Sequence, residues 1–154
     1  MTVYLLRHAR AGRRSAWKGD DELRPLSKVG RRQAATLVDE LLADADIEQI
    51  VSSPYVRCVE SVALLAESRD LPIDVADELR EGAPLEDALR LFEKVSGHPT
   101  VLCTHGDIVE ALLTQFKANG VKVGKIRMEK GSVWAFETRN GRVTKATYLP
   151  PVKG

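Results

Sequence analysis

Cysteine is scarce. Only Cys58 and Cys103 occur in 154 residues, both inside apolar stretches. That excludes a disulfide framework and predicts two reduced core thiols. No apolar run approaches the roughly 18 residues of a membrane span, and the N-terminus lacks the basic-then-apolar order of a secretory signal. A cytoplasmic protein without membrane association is therefore expected. Charge of one sign is also missing. The 23 basic and 22 acidic residues leave a net charge of +1, so nothing in the overall balance points to nucleic acid. The basic residues of the 9–26 segment lack the interleaved aromatics of a base-stacking surface. Three scattered histidines without cysteine pairs offer no zinc set. No Gly-rich loop ending in Gly-Lys-Ser/Thr is present to hold a nucleotide. A thiol phosphatase would need an arginine at position 64 or 109, where Leu64 and Val109 stand. No metal or cofactor is expected.

What remains is an ordinary globular composition. The length fits one domain, residues 1–154, which buries roughly 70% of its unfolded surface without staples. Apolar runs at 2–6, 47–51, 71–75 and 99–104 read as strands bounded by turns. Between them lie stretches with apolar residues at helical spacing. One starts at Ser27, a good N-cap, and runs to about Ala43. A second has Ser53 as cap and Pro54 at its first position. A third opens at Pro84 and runs to about Val95, and a fourth carries Ile108, Val109, Leu112, Leu113 and Phe116. Residues 132–138 and 142–149 form a hairpin around Asn140-Gly141. Strands alternating with helices predict a three-layer α/β/α fold, its sheet mostly parallel with an antiparallel edge.

Two of the strands end in histidine, His8 and His105, and a third ends at Ser53-Pro54 with Arg57 one turn further on. The carboxyl ends of strands in an open α/β sheet face one crevice. His8, Arg7, His105 and Arg57 are therefore predicted to converge. That set suits phosphoryl transfer, which is mostly positioning and charge stabilisation. Arg7 and Arg57 can grip equatorial oxygens bidentately. A neutral His8 can attack phosphorus and carry the group covalently, while His105, if protonated, adds a third cationic donor. Gly106 is read as letting backbone approach the ligand. A carboxyl group should protonate the leaving oxygen and later activate water. Glu81 is the best placed by sequence, with Glu78 and Asp77 as stand-ins. The long polar segment 9–26 is read as a structureless loop carrying a basic wall, and its Asp20-Asp21-Glu22 run as solvated rather than cation-binding. Trp17 and Trp134 are read as packing residues and His98 as a plain loop residue.

Four motifs carry a resemblance. Leu5-Leu6-Arg7-His8-Ala9, the 24–34 segment with Arg24-Pro25-Leu26-Ser27, Gly30 and Gln33-Ala34, the 52–61 segment with Ser52-Ser53-Pro54, Arg57 and Glu60-Ser61, and Thr104-His105-Gly106-Asp107 resemble the histidine phosphatase superfamily. That superfamily includes the phosphoglycerate mutases and the SixA phosphohistidine phosphatases. The resemblance implies a phosphoglycerate mutase-like fold, His8 as the phosphorylated nucleophile, Arg7 and Arg57 as phosphate clamps, His105 as the second pocket histidine, Glu81 as proton donor and Arg14 as a further phosphate contact. Ala9 stands where the pattern usually has glycine. The short length and the Trp17-Lys18-Gly19-Asp20-Asp21 loop look similar to SixA. They look closer still to the phosphatase-like domain behind the Nudix domain of mycobacterial MutT-type hydrolases, as does Lys130-Gly131-Ser132-Val133-Trp134. No Nudix box occurs in this chain. The implied substrate is a phosphohistidine protein or a small phosphomonoester. A nucleotide, or binding of phosphate without turnover, is the alternative.

Overall fold

A computed structural model describes residues 1–152. Its central sheet has six strands: β1 (Thr2–Arg7), β2 (Gln49–Ser52), β3 (Ile73–Val75), β4 (Thr100–Thr104), β5 (Val133–Arg139) and β6 (Arg142–Leu149). They lie in the order β3-β2-β4-β1-β5-β6. The first four run parallel, and β5 and β6 form the antiparallel edge. Four helices accompany them: α1 (Lys28–Thr36), α2 (Val56–Arg69), α3 (Leu85–Val95) and α4 (Gly106–Ala118). This is the predicted layered architecture.

Alternation along the strands builds two cores. Val3, Leu5, Leu102, Trp134 and Phe136 face α3 and α4, while Leu6, Val101, Cys103 and Val133 face the α2 side. A strand whose successive side chains both find an apolar layer is buried on two faces, which is why β1 and β4 read as continuous apolar runs. Leu5, Leu6, Val101, Leu102 and Cys103 are all fully buried. Cys58 and Cys103 are free thiols within this core, as expected.

The structure corrects several local expectations. The helix predicted from Ser27 to Ala43 leaves α-helical geometry after Thr36 and closes in a π-type turn, Leu37–Leu41. There the Leu42 amide donates to the Leu37 carbonyl at 2.9 Å. The wider turn brings Leu42 onto the same face as Leu37, and both are buried. Ser53 does not cap α2 and Pro54 is not its first residue. The Ser53 amide is still bonded to the Cys103 carbonyl, 2.9 Å away, so the chain remains tied to the sheet, and Tyr55 is the cap. The second strand begins at Gln49 rather than Ile47. The 9–26 segment is not structureless. It contains two short 3-10 turns, Arg14–Ala16 and Asp21–Leu23, and is closed by a bridge between Ala11 and Leu26.

The start of α1 holds the chain after His8 in place. Ser27 caps the helix by accepting from the Gly30 amide at 3.1 Å. Its own amide and hydroxyl both donate to the Arg10 carbonyl. A Cβ at Gly30 would stand 1.8 Å from that same carbonyl oxygen, so only glycine permits the approach. Gln33 completes the brace: its Oε1 accepts from the Arg10 amide at 2.9 Å and its Nε2 donates to the Lys130 carbonyl at 3.0 Å.

Candidate functional site

The carboxyl ends of β2, β4 and β1 are neighbours in the sheet, and each delivers one element of the site. His8 follows β1 and is nearly buried. Its amide continues the ladder to the Thr104 carbonyl at 3.0 Å. Its Nδ1 lies 2.7 Å from the Ala9 carbonyl oxygen. A carbonyl oxygen can only accept, so Nδ1 carries the proton and Nε2 keeps its lone pair. Burial lowers the His8 pKa to about 4, helped by the charges of Arg57, Arg7 and Lys130, against the opposing Ala9 hydrogen bond. The imidazole is therefore neutral near pH 7.

His105 caps β4 and opens α4. Its ring centroid is 5.4 Å from that of His8, with the planes 67° apart. Its Nε2 sits 2.8 Å from the Ser53 hydroxyl. That hydroxyl oxygen accepts from the Tyr55 amide at 3.3 Å, and His105 Nε2 is the one acceptor within reach of its own proton among the described residues. The ring proton then resides on Nδ1, which is buried without a partner. Burial lowers His105 to about 3, and the neighbouring His8, Arg57 and Arg7 add to the shift. His105 is thus a neutral donor near pH 7. The sequence leaves the charge of this ring open, and its surroundings decide it: burial and two neighbouring guanidinium groups make a further positive charge unfavourable there.

Arg57, in the first turn of α2, is 1% exposed. Its Nη1 donates to the Asp21 carbonyl at 2.9 Å and its Nη2 to the Asp21 carboxylate at 3.1 Å. Its guanidinium stacks 4.8 Å above the Tyr55 ring. Arg7 donates through Nη1 to the Met128 carbonyl at 2.7 Å. A Cβ on residue 106 would meet the Arg7 guanidinium at 2.9 Å. Gly106 therefore makes room for the Arg7 guanidinium. Glu81 Oε1 lies 3.3 Å from Arg14 Nη2 and 3.7 Å from Arg57 Nη2. The structure thus brings Glu81 to the rim, bridging two cations. Arg14 is largely exposed there and is also paired with Asp21 at 3.4 Å.

Asp21 is the residue that sequence reasoning missed. Besides Arg57 it pairs with Arg24 at 3.0 Å. Burial alone would raise its carboxyl, but the Arg24 hydrogen bond and the Arg57, Arg24 and Arg14 charges outweigh it and hold the pKa below the usual value. Asp21 stays ionised and counterbalances the buried guanidinium. Of its run, Glu22 is also engaged, by Arg80. Ser53 was noticed for the wrong role. Ala9 adopts no left-handed backbone angle. Its amide donates to Ser61 Oγ at 2.8 Å and its methyl packs with Leu26 and Ala34, so the side chain is accommodated. Trp134 is a core residue as expected, but Trp17 is 37% exposed and only closes its own turn, donating to the Asp20 carbonyl. His98 is an exposed loop residue beside Glu48.

Four buried side-chain polar atoms lack a partner among the described residues, and three of them belong to this crevice: Arg7 Nε, Arg57 Nε and His105 Nδ1. All three are donors. Buried polar groups are ordinarily satisfied, so three unpaired donors around one histidine form a cradle suited to an anion. No group of three or more His, Cys, Asp or Glu side chains that could hold a metal ion occurs among the described residues. No helix among the described residues is long and apolar enough to cross a membrane.

Comparison with known proteins shows the family and the fold. The family model of the histidine phosphatase superfamily (branch 1) matches residues 3–86. The chain is 35% identical over 160 aligned positions to an 8-oxo-(d)GTP phosphatase of Mycolicibacterium smegmatis, covering 97% of this chain and 48% of that protein. It therefore spans about half the length of this curated relative. Among solved structures it is similar to the protein histidine phosphatase SixA complexed with tungstate, with a TM-score of 0.78, 20% identity and coverage of 98% and 97% of the two chains. It is also similar to a mycobacterial glucosyl-3-phosphoglycerate phosphatase, with a TM-score of 0.69, 16% identity and 96% coverage of both. At such identities the two structures speak for the phosphoglycerate mutase-like fold alone. The family match, the relative and the four motifs lead to one assignment: the chain belongs to the histidine phosphatase superfamily.

Proposed function

We propose that this chain is a phosphatase that works through a phosphohistidine on His8, with a phosphorylated small molecule or a phosphohistidine protein as substrate. The observation that carries the reading is the set of three unpaired buried donors on residues whose neighbours include a neutral His8 with Nδ1 engaged by the Ala9 carbonyl and Nε2 left to attack. In the first step Nε2 attacks phosphorus and the bond to the leaving group breaks. Arg7, Arg57 and His105 Nδ1 hold the equatorial oxygens, where charge concentrates. Glu81, protonated for this step, gives its proton to the leaving oxygen. In the second step water attacks phosphorus, its proton passes to the Glu81 carboxylate, and the P–N bond breaks to return the electron pair to His8. Every group needed for the two steps belongs to the chain itself.

The test is hydrolysis of p-nitrophenyl phosphate in EDTA. Turnover by the wild type that is lost in His8→Ala supports the reading. Absence of turnover with retained phosphate binding would make the chain a binding module instead. A nucleotide substrate is a second reading. It is favoured by the 35% identity to an 8-oxo-(d)GTP phosphatase, and assaying nucleotides beside p-nitrophenyl phosphate separates the two.

A further inference from the structure

Beside the crevice lies a cavity of about 420 Å³ lined in part by Arg10, Arg32, Gln33, Glu129 and Lys130. We propose that Arg10, Arg32 and Lys130 form a second anion subsite that takes a further phosphate joined to the one His8 receives, so that the preferred substrates carry a diphosphate. This rests on the phosphatase reading for the position of the first phosphate, but the subsite can be tested without turnover.

The geometry links the two places. Arg10 lies two residues beyond His8 in the chain. Lys130 precedes Gly131, whose amide lies 3.1 Å from both the Arg7 and the His8 carbonyls. Gln33 bonds the Arg10 amide and the Lys130 carbonyl at once. The wall of the cavity is therefore braced to the nucleophile's own backbone on both sides, which is what a fixed spacing between two phosphates requires.

The charge balance points the same way. None of Arg10, Arg32 and Lys130 has an acidic partner within 4.0 Å among the described residues, whereas the one acidic residue of the cavity, Glu129, is paired with Arg127 at 3.1 Å. Burial, then the charges of Arg7, Arg10, Arg24 and Arg57, lower the Lys130 ammonium pKa, and Lys130 in turn contributes to the lowered His8 pKa. Its ammonium thus stands within electrostatic reach of both basic sets. Gathered cations repel one another, and a polyanion spanning the two places relieves that repulsion.

Titration calorimetry with inorganic phosphate and inorganic pyrophosphate decides the matter. The wild type should bind pyrophosphate at least tenfold more tightly than phosphate. In Arg32→Ala and Lys130→Ala that ratio should collapse toward one. In Arg139→Ala, a control on the β5–β6 hairpin, it should stay at the wild-type value. Equal affinities in the wild type overturn the subsite, and so does a ratio that falls equally in the control. Either result leaves p-nitrophenyl phosphate hydrolysis, and the phosphatase reading it tests, untouched. Conversely, absent hydrolysis with the tenfold ratio intact would refute the phosphatase reading and keep the subsite.

Discussion

The Ser53 hydroxyl lies 2.8 Å from His105 Nε2 and fixes which nitrogen of that ring carries the proton. With Ser53 donating, Nδ1–H is the unpaired donor toward the anion. Ser53→Ala removes that constraint and leaves the buried nitrogen only the weak contact of the Cys58 sulfur, 3.6 Å away. It should lower kcat/KM for p-nitrophenyl phosphate about tenfold, the equivalent of roughly 1.4 kcal/mol. Ser53→Thr, which keeps the hydroxyl, should recover most of the loss. Steady-state kinetics on both variants checks this, and a merely structural role would not be rescued by the hydroxyl alone.

Both histidines have pKa values lowered from 6.5, to about 4 and about 3. The unfolded chain therefore binds protons that the folded one does not between those values and 6.5. Stability contributed by keeping them neutral is complete above about pH 6.5 and is lost progressively as pH falls. Urea unfolding at pH 7.5 and pH 5 should show lower stability at pH 5. His105→Gln, which does not titrate, should show a smaller difference. For the same reason kcat/KM of the free enzyme should keep its His8-dependent activity down to about pH 5, well below the value for an ordinary histidine.

The Asp21 carboxylate is the main counter-charge of a guanidinium that is 1% exposed. Asp21→Ala leaves that charge largely uncompensated. Discounting for the partial exposure of Asp21, the cost is about 1–2 kcal/mol of stability. Phosphate or tungstate supplies the missing anion, so either should raise the Tm of Asp21→Ala by more than it raises that of the wild type. Thermal unfolding with and without the oxyanion measures both effects.

Glu81 reaches the site only at its rim, between Arg14 and Arg57. The proton donation proposed for it matters most when the leaving oxygen is strongly basic. Glu81→Gln should therefore slow hydrolysis of an alkyl phosphate about 100-fold and that of p-nitrophenyl phosphate much less. Equal effects on both substrates would assign the proton elsewhere.

The parts of this account legible in the sequence are those whose pattern is local. Apolar runs doubly buried in the sheet mark β1 and β4, and a histidine at the end of each places the crevice. Asp21 was not legible, because a run of three acidic residues in a polar loop resembles any solvated stretch. Only the 3-10 turn at Asp21–Leu23 aims it at Arg57. Ser53 was misread because serine before proline is also a helix-start signature. Its bond to the Cys103 carbonyl, a tertiary contact, decides otherwise. The π-type turn after Thr36 likewise answers to the burial of Leu42 and not to local propensity.

The proposed covalent step on His8 can be trapped directly. Mixing the enzyme with a phosphate-labelled monoester and quenching in alkali within milliseconds should trap label on the protein, stable to base, released by acid and located on His8. The His8→Ala variant should trap none. Turnover by the wild type with no trapped label, or with label on another residue, would contradict it.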